Sequence, residues 1–186
     1  MNFNRRCLAF GLVAYCVFGL AELSIAQQKR EIKPIGCYAN LRGEGEQVYG
    51  YSLQLWSWGR ELIGVMGYWR DRTGRPPLGV LTEVQFDPET GKISFKAKLT
   101  TGLHSCPEHP GVPSHDLLSF QGYLRADRLE GNLVLSDQLD SPPVVVDKRE
   151  SFVMRLEDEC ELRNFEAYEI WWWYLEPTYR SRGPEW

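Results

Sequence analysis

From residue 48 to residue 157 the chain alternates apolar and polar side chains, the period of a strand with one buried face. The clearest stretch is 92–99, where Ile93, Phe95, Ala97 and Leu99 share one face and Lys92, Ser94, Lys96 and Lys98 the other. The segment before it, 81–86, ends in Asp87-Pro88-Glu89-Thr90-Gly91. Proline presets a turn and glycine accepts positive φ, so the two segments form a hairpin. A second hairpin joins 117–124 to 129–135 through 125–128, with Leu118, Phe120, Gly122 and Leu124 on one face and Leu129, Gly131, Leu133 and Leu135 facing likewise. A third joins 48–56 to 61–69 around Trp58-Gly59-Arg60, and 37–40 and 152–156 read as the first and last strands.

Seven or eight strands in sequential hairpins close as an up-and-down barrel or fold as a two-sheet sandwich. Glycines inside the strands (Gly50, Gly64, Gly67, Gly122 and Gly131) favour the barrel, because strongly coiled strands need glycine where they bend. The plan resembles that of lipocalins and avidins. No signature motif of either family is present, so the resemblance implies an architecture able to hold one small ligand and no particular residue.

Beyond the strands the pattern changes. Leu162, Phe165, Tyr168, Trp172 and Leu175 recur at steps of three and four, one stripe of a helix over 158–176. Asp158, Glu159 and Glu161 suit its N-terminal end and Pro177 its stop, with 177–186 as an irregular tail. A further strand over 170–174 is the competing reading, since Ile170-Trp171-Trp172-Trp173-Tyr174 has high β-propensity.

The other end of the chain does not belong to this fold. Arg5 and Arg6 precede an uncharged apolar run from Cys7 to Leu20, and Ser24-Ile25-Ala26 places small residues before the 26/27 bond. Residues 1–26 therefore read as a secretory signal peptide, too short in its apolar run for a membrane anchor, and 27–157 as the barrel domain. Export to a periplasm or to the outside follows, with no stable membrane insertion after cleavage. Of the cysteines, Cys37, Cys106 and Cys160 then remain. In an oxidising compartment Cys37–Cys160 would join the first and last strands of a closed barrel, and Cys106–Cys160 is the alternative.

Composition narrows the function only broadly. With 43% hydrophobic and 13% aromatic residues the chain carries a real core, and a net charge of −4 argues against electrostatic binding of nucleic acid. All three histidines, His104, His109 and His115, fall in one proline-rich stretch beside Cys106, which makes a metal site a hypothesis, although the spacing matches no closed zinc motif. Ser105, Ser114 or Cys106 beside His104 or His115 supplies nucleophile and base types, without a G-x-S-x-G elbow, an H-E-x-x-H helix or a phosphate-cradling loop. No cofactor motif is present.

The aromatic residues of the third hairpin are the other resource. Tyr49, Tyr51, Leu53 and Leu55 share one face, and Trp56 and Trp58 the other. The tryptophans either stack on a sugar, apolar ligand or protein, or cover the barrel beneath the C-terminal helix, Trp56 with Trp69. The leading expectation is a non-catalytic exported protein holding a small apolar or aromatic ligand in the barrel mouth, near Tyr49, Tyr51, Tyr68 and Phe120. Two alternatives stand beside it: an interaction or inhibitor module presenting the 101–116 loop to a protein partner, and a metal-dependent enzyme using His104, His109 and His115.

Overall fold

The computed structural model describes residues 31–43, 48–69, 76–99, 115–139 and 141–180. Eight strands run in chain order: β1 (Ile32–Ala39), β2 (Gly50–Trp58), β3 (Glu61–Trp69), β4 (Leu78–Phe86), β5 (Lys92–Leu99), β6 (Asp116–Leu124), β7 (Arg128–Asp137) and β8 (Val144–Leu156), followed by one helix, α1 (Tyr168–Arg180). Each strand pairs antiparallel with its sequence neighbour, and β8 returns to β1, so the sheet is a closed up-and-down barrel. The proposed signal segment, 1–26, lies outside the described residues.

The period of two places the core. On β5, Ile93, Phe95, Ala97 and Leu99 point into the lumen and are buried, as the alternation requires. They meet Tyr51, Leu53 and Leu55 of β2, Leu118 and Phe120 of β6, Leu129, Leu133 and Leu135 of β7, and Phe152 and Met154 of β8. Where β6 and β7 pair at Gly122↔Gly131 a side chain has no room: a Cβ on Gly122 would meet Glu130 O and Gly131 Cα.

A second apolar cluster lies outside the barrel. Trp56, Ile32 and Val65 are buried there against Phe165, Trp171 and Leu175, with Trp58, Ile63, Leu78, Val80, Leu162, Tyr168 and Trp172 packed around them. Trp56 Nε1 donates to Arg163 O at 3.1 Å, and its ring meets Trp171 edge-on at 5.8 Å. Trp56 therefore covers the barrel beneath the C-terminal segment, as the second reading of the tryptophans holds. Trp69 is on the same outer face but donates Nε1 to Ser52 Oγ, away from that cluster.

The helix is real but displaced from 158–176. It begins at Tyr168 and continues through position 177. The stretch before it is captured by β1: Ile32 N donates to Phe165 O at 2.8 Å and Phe165 N to Ile32 O at 3.0 Å, which holds the chain extended. Cys37 and Cys160 form the disulfide, with Cα atoms 5.9 Å apart. Cys106 lies outside the described residues.

Candidate functional site

The connections sort by length onto the two ends of the barrel. Tight turns at 59–60, 87–91 and 125–127 close one end, whereas 40–49, 70–77, 100–115 and 138–143 all link strands at the other. An up-and-down barrel with such asymmetry has one sealed end and one end free to be built for recognition.

Beneath the long connections the lumen carries a train of aromatic rings. Tyr68 of β3 stacks on Tyr51 of β2 at 4.9 Å, Tyr51 meets Phe152 edge-on at 5.3 Å, Phe152 meets Phe120 at 6.2 Å, and Phe120 stacks on Phe95 at 5.1 Å. Three of the four residues expected to face a ligand, Tyr51, Tyr68 and Phe120, thus belong to one continuous stack. Tyr49 does not. It is 46% exposed, because Gly50, at φ 129°, breaks the alternation at the start of β2, and Tyr49 instead pairs its backbone with Arg42. The Gly50 conformation brings the chain against Asn40, whose Oδ1 accepts from Tyr51 N at 2.8 Å.

The stack changes from dry to wet along its length. Phe95 and Phe120 are buried, whereas Tyr68 is half-buried at the loop-bearing end. There the Tyr51 hydroxyl donates to Asp147 Oδ2 at 2.9 Å, and Arg149 Nε donates to the same oxygen at 2.8 Å. The Arg149 guanidinium also lies 5.6 Å from the Tyr51 ring centroid. Burial, then Tyr68 and the Asp147 charge and hydrogen bond, push the Tyr51 phenol well above its ordinary value, against a smaller opposing effect of Arg149. Two further carboxylates, Asp116 of β6 and Asp137 of β7, stand directly opposite each other at this end, both buried. Asp137 Oδ1 accepts from Leu139 N at 2.9 Å. The site thus has an apolar floor and a polar rim.

Compared with known proteins, the chain matches no family model, no curated protein and no solved structure.

Asp147 and Arg149 were not legible as site residues. The register slips by one residue on β8 between Gly131↔Phe152 and Leu133↔Arg149, and again between Leu135↔Asp147 and Ser136↔Val145. Each bulge reverses which parity faces inward, so the alternation seen at Phe152 and Met154 cannot be extended back to position 147. Both residues sit in the charged run Asp147-Lys148-Arg149-Glu150, which reads as a solvated stretch. Of the expected metal residues only His115 is among the described residues. His104 and His109 lie outside the described residues, and His115 uses its backbone carbonyl to accept from Gln138 N. Among the described residues no group of three or more His, Cys, Asp or Glu is placed to hold a metal ion.

Proposed function

We propose that this chain is an exported, non-catalytic binding protein that seats a small apolar or aromatic ligand at the loop-bearing end of its barrel. The Tyr68–Tyr51–Phe152 aromatic stack at the loop-bearing end, beside the Asp147–Arg149 pair, is the observation that carries this reading. An apolar or aromatic ligand would pack at this end of the stack, and its polar end would meet the carboxylate and guanidinium on the rim. Tyr51 is already buried, so the ligand rests on the stack rather than entering the depth of the lumen. The Cys37–Cys160 disulfide supports export, since such bonds persist in oxidising compartments.

The packed lumen favours a second reading. A barrel filled by its own Tyr51, Phe95, Phe120 and Phe152 offers its loop-bearing end as a docking surface for a protein, with 101–116 as the presented loop.

Native mass spectrometry of the secreted protein, followed by titration with the aromatic probe anilinonaphthalene sulfonate, tests the first reading. A bound organic mass, or saturable one-to-one probe binding abolished by Tyr68→Ala with an unchanged circular dichroism spectrum, supports it. A bare protein and unsaturable probe binding overturn it in favour of the docking reading. The mature N-terminus, expected at Gln27, checks export.

A further inference from the structure

On the outside of the barrel, opposite in character to the wall covered by α1, the strands β4 to β7 form a concavity of about 390 Å³. That is near the lower end of small-molecule sites, which run from roughly 300 to 1,000 Å³. The registers place four of its residues in one row across four strands: Gln85↔Ser94, Ser94↔Gln121 and Gln121↔Asn132. Ser119 flanks the row on β6. At about 4.8 Å between strands the row is roughly 14 Å long.

The chemistry of this row is narrow. It carries amides and hydroxyls without a charge, and among the described residues none of the five side chains makes a hydrogen bond within the barrel. Among the described residues the one cation lining the concavity, Lys96, is held by Glu83 at 2.7 Å, so its charge is balanced and gives little pull on an anion. Along the row β5, β6 and β7 are each paired on both edges, so an occupant lying across them is read by side chains. A carboxamide presents a donor and an acceptor side by side, which matches adjacent hydroxyl groups that each donate and accept. Further along the same outward file of β6, Tyr123 is 41% exposed, with the Arg125 guanidinium 4.6 Å from its ring centroid on one side. Such a ring can pack against the apolar face of a sugar.

We infer that this outer row is a binding site for a neutral oligosaccharide, separate from the loop-bearing end. Gln85, Gln121 and Asn132 bind vicinal hydroxyls, Ser94 and Ser119 supply single contacts, and Tyr123 borders the site.

The side-chain amide signals of Gln85, Gln121 and Asn132 in a nitrogen-resolved NMR spectrum report on the row directly. Maltotetraose, cellotetraose and chitotetraose are titrated into the intact mature protein. At least one is expected to shift these three signals saturably, with a Kd of about 1 mM. Gln121→Ala with Ser94→Ala should weaken binding at least about tenfold, equivalent to ~1.4 kcal/mol. Gln121→Glu, which keeps the shape and removes the amide donor, should also weaken it, while Tyr68→Ala at the other site should not. The inference is overturned if none of the three sugars moves the amide signals, if the shifts map to the loop-bearing end, or if binding survives both Gln121 variants.

Discussion

Tyr51 joins two strands far apart in the chain through one phenol. Its ring is closed in by Tyr68 and Phe152, and its hydroxyl is tied to Asp147, 96 residues away. Removing that hydroxyl strips a hydrogen bond from a carboxylate that is 22% exposed and still held by Arg149. Tyr51→Phe should therefore cost about 1–2 kcal/mol, read as a shifted urea midpoint at constant slope. The same burial has a pH consequence. Desolvation raises the Tyr51, Tyr38 and Tyr168 phenols above the ordinary 10.0, so the folded chain keeps three protons that the unfolded chain gives up. Stability is then untouched below pH 10 and falls as pH rises beyond it, because the unfolded state binds fewer protons there. Part of the tyrosinate absorbance should appear only as the β-sheet circular dichroism is lost. Complete ionisation of every tyrosine in a native barrel would refute this. Gly122 and Gly131 were legible as bending positions from their place inside alternating strands, and their backbones do approach too closely for a Cβ. Gly131→Ala should destabilise by roughly 1–3 kcal/mol, the usual cost of overpacking. Asp147 and Arg149 stayed hidden because the bulge on β8 between Arg149 and Phe152 reverses the parity on which such reading depends.

At the scale of elements, hairpins with strong local turns were legible and the C-terminal segment was only half so. The turn at 87–91 shows why: Asp87 accepts from Glu89 N and Thr90 Oγ1, so the sequence itself writes the reversal. No such local signal decides where α1 begins. The apolar stripe correctly places Leu162, Phe165, Tyr168, Trp172 and Leu175 against the barrel, but burial by itself does not distinguish helix from an extended stretch packed on the same wall. A long-range pairing with Ile32 settles the matter at Phe165, and it could not be read from residues 158–176 alone. The stripe also omits Trp171, the tryptophan that α1 buries completely against Trp56. Trp171→Ala should cost about 3–5 kcal/mol, with Trp56 emission shifted towards that of a solvated indole. Trp173, 70% exposed on the same helix, serves as the control, and Trp173→Ala should leave stability within about 0.5 kcal/mol.

Closure of the whole barrel depends on its shortest seam. β2 and β3 pair along their full length, from Gly50↔Trp69 to Trp58↔Glu61, but β1 and β8 pair only at Tyr38↔Leu156 and Ala39↔Arg155. Three further features concentrate there. Glu157 N donates to Cys37 O at 2.8 Å, the Leu156 side chain occupies the space a Cβ on Gly36 would need, and the disulfide ties Cys37 to Cys160 just past the end of β8. The first part of β1, which has no β8 partner, meets Phe165 instead. The covalent bond and the C-terminal segment thus complete a closure that the ladder makes only in part. Cross-linking positions 123 residues apart also restricts the unfolded chain, so replacing both cysteines by serine should cost about 2–5 kcal/mol. Where that loss falls is the sharper expectation. An entropic effect on the unfolded chain alone would lower protection uniformly across the sheet. A seam held by the disulfide would open locally first, so the amide of Glu157, bonded across to Cys37, should exchange faster by a larger factor than those of Gln54 and Val65 in the full-length β2–β3 pair. Hydrogen exchange on the double-serine variant separates the two, and equal acceleration at Glu157, Gln54 and Val65 would mean that the ladder at Tyr38 and Ala39 closes the barrel without the disulfide.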